Sequence, residues 1–298
     1  MLSLKGRIRS DIKIRKADVN SKSFENKRVV VVGGTNGLGR SIAKNMVSKG
    51  ASVTVVGRTF RDAGVNNISF LEADFCSLKA AETIADKIPA EDLDYLVLTT
   101  GIFSSVTRKE THEGVEVDLA VSYLSRYVLL RKIADRLGVN RNGDAKVKVF
   151  IMGFPGMNVK ANIEDFNSEK RYNAGTAHYN TIIGNEAIVH KYSMKNNGFH
   201  CFGLNPGLIK SDIRTGLTGQ DSLLTRIVEW FISAFNQDSD TYADKLMSLF
   251  LSSDLDDYNG LMFNKNADLI ETSKVFLKSS YIDAVIQASD DVIKKVLA

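Results

Sequence analysis

VVVVGGTNGLGRSIA, from Val29 to Ala43, runs four β-branched residues into a glycine-rich turn and then into the start of an amphipathic helix. A strand of this kind delivers the chain to the edge of a parallel sheet, where glycines let the backbone turn tightly enough to aim amide N–H groups at a diphosphate. Gly33, Gly37 and Gly39 carry the pattern GxxxGxG, with Thr35, Asn36 and Leu38 between them as candidate ligand contacts. A glycine-rich β-to-α turn can also exist without a ligand. Context argues otherwise, because a second strand at Ser52–Val56 ends in Gly57-Arg58-Thr59 and completes a βαβ unit.

Working outward, a chain of 298 residues with 44% hydrophobic and 25% charged content can bury a large core. Strand-like and helix-like segments alternate throughout, without a linker or a fixed repeat. One three-layer αβα domain with a Rossmann-like, doubly wound parallel sheet is therefore expected over residues 27–298, after a basic extension at 1–26. The net charge of +4 comes from mixed basic and acidic residues, which argues against a nucleic-acid footprint. Residues 1–16 are the exception, with six Lys or Arg against one Asp. A solvated lead-in is favoured there over a targeting segment or a patch that meets an acidic surface. No stretch offers the ~20 apolar residues of a membrane span. Cys76 and Cys201 are too few for a disulfide scaffold, so a reducing, cytoplasmic setting is the expectation.

Further strands are predicted at Ile68–Glu72, Tyr95–Leu98, Val147–Met152 and His200–Leu204, with a short last one at Leu261–Phe263. Helices are predicted at Ala80–Lys87, Glu116–Leu137, Tyr179–Lys195 and Leu223–Phe235. The last of these holds Trp230, the only tryptophan; a lid, core packing and a subunit contact all suit it. In a doubly wound sheet the carboxyl ends of the strands face the ligand, so the glycine turn, Arg58, Asp74 and Thr99–Gly101 should converge.

In this order the pieces resemble the short-chain dehydrogenase/reductase family from about Lys27 to Phe263. The likeness rests on the glycine turn, Asp74-Phe75, Gly101-Ile102 and Pro206-Gly207-x-x-x-Ser211. EDFNSEKRYN at Glu164–Asn173 and the following Ala177–Asn185 look most like the retinol-dehydrogenase-like branch. The resemblance implies that Pro206, Gly207 and Ser211 close over a nicotinamide, with Ser211 holding the carboxamide, and that Asp74 meets the adenine. Family members often pair through two long helices, here Glu116–Leu137 and Tyr179–Lys195, which makes a homodimer one arrangement open to this chain, although the sequence does not fix the oligomer. At the end of the second strand an acid would repel a 2′-phosphate. Arg58 stands there instead, backed by Thr59 and with Arg61 or Arg40 nearby, which favours NADP over NAD.

The family's reaction uses an Asn, a Ser, and a Tyr followed four residues later by Lys, and most of this set is missing. The Asn position falls on Ser122, and the Ser position on Gly153 or Phe154. Two registers remain for the Tyr–Lys pair: Tyr179 with Ile183, or His178 with Ile182. Neither supplies an ammonium, and Lys191, twelve residues beyond Tyr179, lies roughly 18 Å along the helix. His178 with Glu186, two turns on, is a conceivable acid/base set. Packing and capping would explain His178 and Tyr179 equally. His112, His190 and His200 read as structural, and no cluster has metal-ligand spacing. Two functions follow: an NADP(H)-dependent oxidoreductase acting on a small carbonyl or alcohol, with Tyr179 or His178 as proton donor; or a dinucleotide-binding sensor or scaffold that has lost catalysis.

Overall fold

The computed structural model describes residues 6–141, 143, 145–194, 198–207 and 239–298. Its strands are β1 (Arg28–Val32), β2 (Ser52–Gly57), β3 (Ile68–Glu72), β4 (Tyr95–Leu98), β5 (Val147–Met152), β6 (Phe199–Leu204), β7 (Met262–Phe263) and β8 (Leu269–Ile270). They form one sheet in the order β3-β2-β1-β4-β5-β6-β7-β8. Every pairing is parallel except β7 with β8. The order reverses between β1 and β4, which opens a crevice at their carboxyl ends.

The valines of β1 explain why the sheet sits in the middle of the molecule. Successive side chains on a strand point to opposite faces. Val29 and Val31 enter one apolar core with Ile42 and Met46 of α1 (Gly37–Ser48). Val30 and Val32 enter the other, with Leu78 and Ile84 of α2 (Leu78–Lys87). Both cores extend along the sheet. Tyr242, Leu246 and Phe250 of a later helix, Ser239–Phe250, join the α1 side, and Ile182 and Ile183 join the α2 side.

The segment predicted as one helix at Glu116–Leu137 is broken. It comprises α3 (Val117–Leu119), a π turn (Ala120–Leu124), α4 (Ser125–Ile133) and a closing 3-10 turn (Ala134–Arg136). The helix after β5 starts earlier than Tyr179: α5 spans Ala174–Ser193, because the Asn173 side chain accepts from the Thr176 N–H and caps it. The Ser239–Phe250 helix is α6, and α7 (Ser279–Leu297) closes the chain. Ser211 and the Leu223–Phe235 segment lie outside the described residues.

The basic lead-in is not simply solvated. Ile8 bridges Ile270 on β8, where the Arg9 N–H donates to the Leu269 carbonyl at 3.0 Å. Arg15 clasps Asp254, and Lys16 meets Asp268 at 3.0 Å. The reason is the sheet edge: β8 exposes unpaired backbone groups that an adjacent chain can satisfy. The acidic surface these cations meet belongs to the same chain.

The terminal helix α7 lies across the broken helix, with Tyr123 Oη and Ser289 Oγ 2.7 Å apart and Arg131 meeting Asp290 at 3.1 Å. Seven of the nine residues of α4 are buried. Thus α7 of the same chain covers one of the helices through which family members often pair. Tyr123 is fully buried, so Ser289→Ala strands its hydroxyl and is expected to cost about 1–3 kcal/mol. Tyr123→Phe made in the same molecule should recover part of that loss. Thermal or denaturant unfolding of both variants measures the coupling; full additivity would contradict it.

Candidate active site

A cleft of about 520 Å³ runs along the carboxyl ends of the strands. Its floor is the glycine turn. Gly33 takes a φ of +85°, open to glycine at little cost. A methyl group on Gly39 would strike the Gly33 carbonyl and the Thr99 hydroxyl, so α1 starts hard against the ends of β1 and β4. The first amides of a helix have no acceptor within it, and Asn36 provides no side-chain cap here. The first turn holds no acid either. These open donors and the positive end of the helix dipole suit a diphosphate.

Thirteen of the expected site residues line this cleft. Gly33, Thr35, Asn36, Gly37, Leu38 and Gly39 form the turn; Arg58 and Asp74 stand at one end. Thr99 and Gly101 lie between, and Ser122, Pro206 and Gly207 at the other end. Thr59 is exposed and does not line it, nor do His178 and Tyr179. Arg58 forms no ion pair with an acid among the described residues, whereas Arg40 is committed to Asp62 at 2.6 Å. Asp74 accepts from the Cys76 N–H at 3.0 Å.

At the far end, the broken helix builds a polar cluster. Asp118 is fully buried. Its carboxylate accepts from Ser104 Oγ at 2.8 Å, from Ser122 Oγ, and faces His178 Nδ1 at 2.8 Å. Ser122 Oγ also accepts from the Ile102 N–H at 2.9 Å, which fixes the loop after β4. The His178 ring packs beside Phe103 and Phe154, with centroids 4.9 and 5.8 Å away. Both phenylalanines line the cleft. Tyr179 instead packs against the apolar core. Ile182 and Ile183 are core residues, so both positions that would hold the lysine face hydrocarbon.

Glu186 does not join His178. It accepts from the backbone N–H groups of Gly156 at 3.1 Å and Ser273 at 2.6 Å, and from the hydroxyls of Ser273 and Thr272, both at 2.8 Å. That network ties the loop after β5 to the segment after β8. Burial raises the Glu186 carboxyl above the usual carboxylate range. His190 hydrogen-bonds Thr272 at 2.6 Å and is pushed down to about 4 by burial. His200 meets the Leu255 carbonyl at 3.1 Å, and His112 is exposed. Lys191 reaches the Tyr127 hydroxyl at 2.6 Å. Among the described residues no His, Cys, Asp and Glu side chains gather as a metal site.

Two charged residues of the site were not among the expected ones. Asp118 and Arg126 flank Ser122 at four-residue intervals within a largely apolar stretch, VDLAVSYLSR. That i, i+4, i+8 spacing of polar groups on one helix face was the available signal. Arg126 is buried and lines the cleft. Its Nε donates to Thr100 Oγ1 at 3.2 Å, and its Nη1 donates to the Met152 carbonyl and to Asn185 Oδ1, the latter at 3.1 Å. Asn185 in turn donates to the Ser122 carbonyl at 2.8 Å. Desolvation brings the guanidinium down to about 9, against the pull of Asp118.

The chain belongs to the short-chain dehydrogenase/reductase family. A family model described as short chain dehydrogenase matches residues 27–145. An uncharacterized oxidoreductase of Saccharomyces cerevisiae is 41% identical over 285 residues, covering 94% of this chain and 92% of that protein. Human retinol dehydrogenase 12 is 24% identical over 203 residues, 63% of each chain. A solved short chain dehydrogenase from Shigella flexneri 2a, complexed with NADP, superposes with a TM-score of 0.57 at 14% identity, over 81% of this chain and 97% of its own. No helix among the described residues is long and apolar enough to cross a membrane.

Burial, and next the charge of Asp118, push the Glu116 carboxyl up from 4.5 to about 7. The folded state therefore holds this proton more tightly than the unfolded chain. Its stabilising effect is complete below about pH 4.5 and lost as the pH rises through about 7. Glu116→Gln keeps an acceptor for the Leu119 N–H and removes the titration. Its melting temperature relative to the parent should rise between about pH 5 and pH 8, by up to the equivalent of about 3 kcal/mol. A pH-independent difference would contradict this.

Proposed function

We propose that the protein is an NADP(H)-dependent oxidoreductase that transfers hydride between the nicotinamide and a small carbonyl or alcohol. His178, held by Asp118, is its proton-transferring group. The observation that carries this reading is the Asp118–His178 contact at 2.8 Å, set behind the two phenylalanines that line the nicotinamide end of the cleft. When bound, the dinucleotide supplies the hydride. The glycine turn and the open amides of α1 fit its diphosphate, Arg58 fits the adenosine 2′-phosphate, and Asp74 fits the adenine. Among the described residues Arg58 forms no ion pair, which leaves its guanidinium available for a bidentate phosphate contact.

A carboxylate facing Nδ1 fixes the imidazole so that Nε2 exchanges the proton, and it stabilises the imidazolium. In the reductive direction the carbonyl carbon gains hydride while its oxygen takes the Nε2 proton, giving the alcohol and a neutral imidazole. Ser122 stands on the other side of Asp118 and orients the carboxylate through its own hydrogen bond. Phe103 and Phe154 make this end of the cleft apolar, which suits an uncharged, hydrophobic carbonyl compound. The retinol dehydrogenase relatives are consistent with such a substrate.

Two sets of measurements test the reading. Arg58→Ala should weaken NADPH binding about tenfold or more while leaving NADH within about threefold. Equal losses for both cofactors in titration calorimetry would remove the NADP assignment. Across a panel of apolar aldehydes and ketones, His178→Ala should lower kcat by about 100-fold or more, and Tyr179→Phe by less than about threefold. The reverse pattern would make Tyr179 the donor. The buried Ile182 and Ile183 favour a second reading, a dinucleotide-binding sensor or scaffold; firm NADPH binding without turnover on any substrate would favour it.

A further inference from the structure

Arg126 is a buried cation whose known acceptors are all neutral: a threonine hydroxyl, a backbone carbonyl and an asparagine amide oxygen. Burying a guanidinium without a directly bonded carboxylate is costly, so its retention at a ligand cleft calls for a compensating function. Nη2 has no hydrogen-bond acceptor among the described residues. It lies beside Gly101, where an added Cβ would come within 3.3 Å of it. Because residue 101 is glycine, no Cβ at that position crowds this nitrogen, and Arg126 itself lines the cleft. Asp118 contributes long-range attraction, yet its oxygens are spent on Ser104, Ser122 and His178, and it does not line the cleft.

The position in the cleft identifies what the charge meets. With the diphosphate on the glycine turn and the adenosine toward Arg58 and Asp74, the rest of a dinucleotide must run past Gly101 to Met152, Gly153 and Gly207. Nη1 already bonds the Met152 carbonyl, which anchors the guanidinium under that end. The oxidised nicotinamide ring is a cation and the reduced ring is neutral. Two like charges in a poorly hydrated cleft repel strongly, while the ribose oxygens of either form attract the guanidinium.

We propose that Arg126 is the fixed positive charge at the nicotinamide end of the cleft, and that it makes the protein bind the reduced dinucleotide in preference to the oxidised one. This rests on the oxidoreductase reading above and deepens it, because such a bias holds the enzyme ready for carbonyl reduction. Arg126 takes over, from α4, the cationic place that neither Ile182 nor Ile183 of α5 fills.

Equilibrium titration of the unmodified protein with NADPH and NADP+ gives the first test. NADPH should bind at least about tenfold more tightly. In Arg126→Met the ratio should fall below about threefold, chiefly through weaker NADPH binding, whereas Arg126→Lys should keep a ratio above about fivefold. Circular dichroism and melting curves establish that each variant is folded. Equal affinities for the two forms in the unmodified protein overturn the proposal without recourse to any variant. So does an unchanged ratio in folded Arg126→Met. Failure of the unmodified protein to bind either form would instead overturn the underlying dinucleotide assignment, and this inference with it.

Discussion

The Asp118 carboxylate is the constraint around which the candidate active site is organised. A fully buried carboxylate is tolerable only when its oxygens are hydrogen-bonded, and here three elements supply the partners. Ser104 comes from the loop after β4, Ser122 from the π turn, and His178 from the first turns of α5. Satisfying one buried charge thereby fixes the distance between the loop, the broken helix and α5. The π turn, a feature often found at functional sites, accompanies this arrangement and carries Ser122 at its centre.

Arg126 continues the same logic one turn further on. Its hydrogen bonds reach the ends of β4 and β5 and the middle of α5. Asn185 links it back to the π turn through the Ser122 carbonyl. Ser122 and Arg126 thus give the helix between β4 and β5 a polar edge toward the cleft and an apolar remainder toward the core. Farther out, α7 closes the apolar side, and the basic N-terminal residues close the β8 edge of the sheet.

Departures from the family pattern run from the π turn (Ser122) and the loop after β5 (Gly153, Phe154) to α5. Isoleucines at 182 and 183 join the core on the α2 side of the sheet and leave the helix without a cation near the cleft. The histidine at 178 reaches a buried carboxylate that the family's Tyr–Lys reading gives no reason to expect. Glu186, which shares roughly the same helix face, is captured by Gly156, Thr272 and Ser273 and serves the loop architecture instead. The glycine-turn cleft and the Asp118–His178 pair are consequently built from separate residues in this molecule.

The nucleotide-binding half was legible in the chain because its determinants are local. Four valines specify a strand buried on both faces, and the glycines that follow permit the turn and the close start of α1 without help from distant residues. Arg58 and Asp74 follow from the same rule, since the carboxyl ends of parallel strands share one crevice. The other half depends on contacts between residues far apart in sequence, such as Asp118 with His178 and Arg126 with Asn185. Nothing in the local pattern states that His178 turns to Asp118 while Tyr179 packs against the core; the packing of α5 on the sheet and the buried carboxylate on α3 decide it. The N-terminal segment shows the same limit. Its charge reads as solvated, but an open sheet edge and three acids brought together from residues 254–271 give it partners that only the folded chain provides.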